Sequence, residues 1–126
     1  MPHTLVVDAA NVVGSRPDGW WADRAGAARR LVAGLDAAAL GYDAVVVVLE
    51  GRARDGVGEG AASGGITVVH APGSGDDELV ARCRELAESG AVTLASADRG
   101  LIARVQGLGV AVVGPRTVRD AAGRPD

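Results

Sequence analysis

Four apolar runs in this chain each lead into an acidic residue or an acid-bearing turn, and that recurrence constrains the fold more than any other feature. Leu5-Val6-Val7 runs into Asp8, and Val45-Val46-Val47-Val48-Leu49 into Glu50. Ile66-Thr67-Val68-Val69 is followed by Gly75-Asp76-Asp77-Glu78, and Val92-Thr93-Leu94-Ala95 by Ser96-Ala97-Asp98. Short β-branched runs alternating with helical periodicity read as buried strands of a parallel sheet. The carboxyl ends of such strands line one edge, and sites are built on that edge. Acids from distant parts of the chain would meet there. Like charges repel strongly in a low-dielectric cleft, so a hard divalent cation is the expected neutraliser.

The rest of the pattern fills in a three-layer α/β/α sandwich with a mainly parallel central sheet of about five strands, in one domain spanning residues 1–126. Strands are expected at residues 4–8, 44–49, 66–70, 92–95 and 110–113. A loop through Gly14 and Gly19 leads into a long helix, with Asp18 as its N-cap and Gly41 as its stop. Trp21, Ala25, Ala28, Leu31, Val32, Leu35 and Ala39 recur at helical spacing and would face the sheet. Trp20 is then the more exposed of the two tryptophans. Residues 51–65 hold six glycines and read as a flexible loop. Helices follow at residues 76–89 and 99–108. The tail, residues 115–126, is expected to make a helical turn at 117–121 and then fray.

Composition adds exclusions. No apolar stretch approaches the roughly 20 residues of a membrane helix, and the chain enters its first strand with no leader pattern. A single cysteine, Cys83, excludes an internal disulfide and fits a reducing, cytoplasmic setting. It shares a helical face with Leu79, Val80 and Leu86 and reads as a small buried hydrophobe. The net charge is −3, and all 13 basic residues are arginine. Six of the acids lie in the motifs at the expected edge, so the sign of the total excludes no nucleic-acid partner. A chain without lysine has no Walker lysine, and there is no Cys/His cluster for zinc and no G-x-S-x-G elbow.

Each acidic motif has a plainer reading beside the functional one. Asp8 and Asn11 suit a strand-to-loop turn, or a metal-binding Asp with an amide that holds a phosphate oxygen or orients it. Asp76 and Asp77 open a helix, where acids complement the dipole and Ser74 or Asp76 would cap. Three acids in a row exceed that need, so Asp76 and Asp77 are assigned to the cleft and Glu78 to solvent. Ser96 or Asp98 would cap the next helix, or Asp98 would complete a metal site with Ser96 bonding a ligand oxygen or a carboxylate. Glu50 is either a solvated strand-end acid or an outer member of the site. His3 and His70 lack metal-ligand spacing and read as structural.

In register, Val6-Val7-Asp8-Ala9-Ala10-Asn11, Ser74-Gly75-Asp76-Asp77 and Ser96-Ala97-Asp98-Arg99-Gly100-Leu101 resemble the motifs of the PIN-like nucleases, and most of all their NYN branch with its YacP-like proteins. The resemblance runs from Leu5 to Val113. It implies a ribonuclease that depends on one or two Mg²⁺ or Mn²⁺ ions. Asp8, Asp76, Asp77 and Asp98 match the acidic quartet as catalytic and metal-binding residues, and Asn11 matches the polar partner of the first Asp. Glu50 stands where the branch often has an Asp before Gly. Gly100 stands where many relatives carry a further acid, a departure that bears on the second ion. Phosphodiester hydrolysis of RNA, single-stranded or structured, is the implied reaction, with Arg16, Arg52 and Arg99 on flanking phosphates and Asn11, Glu50 and Ser96 also toward substrate. The alternative is a noncatalytic RNA-binding or scaffold module of the same fold. A phosphatase with a covalent Asp is disfavoured, because Ala10 stands where such enzymes carry a second Asp. A protein regulator such as a cognate inhibitor is compatible with this reading, with no residue arguing for it.

Overall fold

A computed structural model describes residues 2–15 and 19–122. Its elements run β1 His3–Asp8, α1 Ala9–Gly14, a 3-10 turn Trp20–Ala22, α2 Arg24–Ala33, α3 Ala37–Leu40 and β2 Ala44–Leu49. A 3-10 segment Gly51–Gly56, β3 Gly60–Ala62 and β4 Ile66–His70 follow. Then come α4 Gly75–Ala87, β5 Ala91–Ala95, α5 Arg99–Val105, β6 Ala111–Val113 and α6 Pro115–Ala122. The sheet has six strands in the order β3-β4-β2-β1-β5-β6. All pairings are parallel except β3 with β4.

Alternation along each strand sorts side chains into two apolar layers. Leu5, Val7, Val45, Val47, Leu49, Ile66 and Val68 face α1, α2, α3 and α6 through Val12, Ala28, Leu31, Val32, Ala37 and Val118. Val6, Val48, Val69, Val92 and Leu94 face α4 and α5 through Leu79, Val80, Cys83, Leu101 and Val105. This is the expected three-layer sandwich. Burial also pushes the Cys83 thiol up to about 11, so it stays a neutral packing group.

Three expectations are corrected. The helix expected to end at Gly41 is broken into pieces, because Asp23 and Asp36 each turn a carboxylate onto the backbone and start a new helix. Asp23 Oδ1 accepts from Gly26 N at 2.9 Å and Asp36 Oδ1 from Ala38 N at 3.0 Å. The register of one continuous helix is lost, so Trp21 is 62% exposed while Trp20 is half-buried, the reverse of the expected pair. The Asp18 cap lies outside the described residues. Second, residues 51–65 carry structure: a 3-10 segment packs on α2, and β3 adds an antiparallel strand beside β4. Gly56 is needed for that packing, since a Cβ there would overlap the Ala25 carbonyl. Third, the tail forms a full helix, α6, whose buried Val118 closes one face of the core; residues 123–126 lie outside the described residues.

This topology locates a cleft. From β1 the chain moves to β2 on one side of the sheet, and from β5 it moves to β6 on the other. The carboxyl ends of β1 and β5 are therefore the switch point, where a crevice opens. Asp8 and Ser96 stand there.

Candidate functional site

Asp8 ends β1 and is only 6% exposed. Its Oδ1 accepts from Asn11 N at 3.3 Å, capping α1, and its Oδ2 accepts from Ser96 Oγ at 2.8 Å. Register explains the second bond: Val7 pairs with Ala95, so the next residue of each strand meets across the switch point. Ser96 Oγ in turn accepts from Asp98 N at 3.1 Å, and Asn11 Oδ1 accepts from Ala97 N at 2.8 Å. Asp98 Oδ1 caps α5 by accepting from Leu101 N at 3.1 Å. The first and third sequence motifs are thus tied into one hydrogen-bonded unit. Asp8 and Asp98 each cap a helix, and Ser96 links their two junctions.

The second motif reaches the same place. Burial raises the Asp8 carboxyl above its ordinary range, the Ser96 and Asn11 hydrogen bonds pull it back, and the charges of Asp76 and Asp98 push it up again. Asp76 is raised first by burial, then by Asp98 and Glu50, with Asp77 adding to the effect and Arg104 opposing it. Asp8, Asp76 and Asp98 come from three different strand-to-helix junctions, and the charges of Asp76 and Asp98 reach Asp8 while that of Asp98 reaches Asp76. Among the described residues, no three His, Cys, Asp or Glu side chains form a ready-made cation cage.

The neighbours of this trio are placed differently. Asp77 turns away onto Arg104 of α5, Oδ1 to Nη2 at 2.9 Å, with its side chain 72% exposed. Glu78 pairs with Arg82 at 2.7 Å. Glu50 caps α4 from a distant strand: its Oε2 accepts from Gly75 N at 2.9 Å, while Ser74 makes no side-chain cap. A side chain at residue 75 would displace this cap, because a Cβ would lie 2.8 Å from the Glu50 carboxyl carbon. Arg52 and Arg99 are exposed, the first on the 3-10 segment and the second opening α5. Arg16 lies outside the described residues. His3 bonds Thr93 and stacks edge-on with Tyr42, and His70 bonds the Val57 carbonyl, so both are structural as expected.

Arg104 and Arg24 are the two functional candidates that the sequence pattern does not reveal. Arg104, on an α5 face otherwise unremarked, is the cation beside Asp76 and Asp77. Trp20 and Arg24 line a cavity of about 450 Å³, bounded also by Ala9, Ala10, Glu50 and Gly73.

No family model matches this chain, and no curated protein matches it in sequence. Its structure is similar to the crystal structure of Rae1 (YacP) from Bacillus subtilis, a W164L mutant. The TM-score is 0.68 at 15% identity, over 95% of this chain and 74% of that one. The chain therefore has a YacP-like fold.

Proposed function

We propose that this chain is a Mg²⁺- or Mn²⁺-dependent ribonuclease of the PIN-like kind, NYN branch, working at the crevice between β1 and β5. The observation that carries the reading is the meeting of two strand-to-helix junctions at the switch point, where Ser96 Oγ donates to Asp8 Oδ2 and accepts from Asp98 N, with the charges of Asp76 and Asp98 bearing on Asp8. The YacP-like fold agrees with the group that the sequence motifs resemble.

The residues present suit such an ion. The donors are all oxygen, and the raised Asp8 and Asp76 carboxyls mark a negative centre left partly unneutralised. Mg²⁺ keeps several waters and needs only one or two carboxylates, so a three-ligand cage is not required. A carboxylate offers about four lone-pair sites, and the Asp8 bonds to Ser96 and Asn11 use two of them. Asp8, Asp76 and Asp98 would hold the cation; Asp77 stays with Arg104. When bound, the ion supplies a lowered water pKa and neutralises charge at the scissile phosphate. Ser96 holds the Asp8 carboxylate in place, and Asn11 fixes the Ala97 backbone next to it. Arg52 and Arg99 at the rim bear flanking phosphates of the RNA, as does Arg16 by its place in the sequence.

The noncatalytic RNA-binding reading is favoured by one observation, the hydrogen bonds that already occupy both Asp8 oxygens. Cleavage of single-stranded RNA by wild type and Asp98→Asn separates the two. Asn caps helices as well as Asp, so the variant should keep its thermal midpoint and lose Mg²⁺-dependent cleavage. Equal cleavage by both proteins would remove Asp98 from the chemistry, and RNA binding without turnover by wild type would favour the scaffold.

A further inference from the structure

The cavity lined by Trp20 and Arg24 has a composition that the cation chemistry does not use. One wall is an aromatic–guanidinium layer, with Arg24 Cζ 5.6 Å from the Trp20 ring centroid. Trp20 is steadied on its other sides by Trp21, edge-on at a centroid distance of 6.1 Å, and by Gly14, where even a Cβ would sit 3.6 Å from the indole. Ala9, Ala10, Val13, Ala28 and Ala53 supply small apolar walls. Glu50 provides the charged acceptor. Its Oε2 takes Gly75 N–H, and among the described residues no donor reaches its Oε1. A volume of about 450 Å³ lies within the range of small-ligand sites.

Two of the lining residues tie the cavity to the acidic residues. Ala9 follows Asp8 in the chain, and Glu50 both lines the cavity and raises Asp76. A strand whose phosphodiester lies at the trio would carry an adjoining base to the cavity mouth. An aromatic face and a guanidinium plane are the surfaces on which splayed-out RNA bases stack, and a carboxylate accepts from the N–H donors of a Watson–Crick edge.

We propose that this cavity seats one unstacked base of the RNA, layered on Trp20 and Arg24 with its N–H edge on Glu50. The inference rests on the ribonuclease reading and adds a base preference to it. Guanine presents two adjacent N–H donors to the two carboxylate oxygens. Adenine and cytosine present one amino group. Uracil presents a single ring N–H flanked by carbonyls that the carboxylate repels. Guanine should therefore bind best and uracil worst.

The chain has two tryptophans, so Trp21→Phe leaves Trp20 as the sole indole reporter. The trinucleotides UGU, UAU, UCU and UUU, titrated with Ca²⁺ in place of Mg²⁺ to withhold cleavage, should quench Trp20 emission saturably. UGU should bind about tenfold more tightly than UUU. Polarisation of dye-labelled UGU should show about tenfold weaker binding to Trp20→Leu. Glu50→Gln can still accept from Gly75 N, and it should bring UGU and UUU within about twofold of each other. Unchanged Trp20 emission on saturation with UGU, or equal affinity for all four trinucleotides, overturns the proposal. GMP binding as tightly as UGU overturns the assignment to an RNA strand and leaves a free-nucleotide pocket. Cleavage of a longer RNA in Mg²⁺ is scored separately. A silent Trp20 with intact cleavage rejects this pocket alone, and base-selective quenching without cleavage rejects the nuclease reading alone.

Discussion

The two halves of the carboxyl edge are made from the same residue types and treat charge in opposite ways. At the β1–β5 half, Asp8 and Ser96 are buried, and each polar atom is bonded to another part of the same unit. At the β2–β4 half, Glu50 is exposed and sets one carboxylate oxygen on the first turn of α4. A buried carboxylate near two others is held above its ordinary range and gains from a cation. An exposed one at a helix N-terminus has solvent and the helix dipole beside it and gains less from a cation. The same contrast splits neighbouring residues: Asp76 faces the cleft with a raised carboxyl, and Asp77 faces Arg104. Proximity to a motif does not decide which acid does chemistry. The environment of each carboxylate does.

The largest expected effect comes from that neighbouring pair. Asp76→Asn should bring Mg²⁺-dependent RNA cleavage to the background rate, while Asp77→Asn should cleave within about twofold of wild type and lose about 0–1 kcal/mol of stability, as exposed ion pairs do. Equal losses in both would erase the distinction.

Next is Ser96→Ala, which leaves the buried Asp8 Oδ2 without its donor and should cost about 1–3 kcal/mol in urea unfolding. The Ser96 bond favours ionised Asp8, so it lowers that carboxyl. Its loss should matter most above the pH at which folded Asp8 ionises and shrink as acid protonates it. A cost that is flat with pH, or largest in acid, would show that Ser96 serves only packing.

The smallest effects test the exposed half. Glu50→Ala removes the distant cap of α4 and should cost about 1 kcal/mol. Gly75→Ala should be destabilising in the wild type, where a Cβ meets the Glu50 carboxyl group, and neutral or stabilising on the Glu50→Ala background, where that group is gone. Additive effects in this double-mutant cycle would dissolve the Glu50–Gly75 contact.

Much of this could be read from the chain beforehand. The strands through Val6, Val47, Val68 and Leu94 were legible because buried parallel strands are continuous β-branched runs, and Asp8, Asp76 and Asp98 were legible because strand ends and first helical turns share one edge. β3 was not. Gly60-Ala61-Ala62 has almost no strand preference, and it is ordered by the open edge of β4. The break at Asp23 was hidden because a helical apolar stripe runs through it, and only the competition of the Asp side chain for backbone N–H groups reveals it. That break is also what turned Trp20 inward to line the cavity and Trp21 outward. Glu50 as a cap depends on a contact 25 residues away in sequence, which no local pattern carries.

Calorimetric titration of Mn²⁺ into wild type and Asp8→Asn bears most directly on the claim that these carboxylates were gathered to hold a cation. Saturable binding of at least one ion by wild type, lost in the variant, is the predicted result. Identical isotherms for the two proteins, or no heat from either, would contradict it.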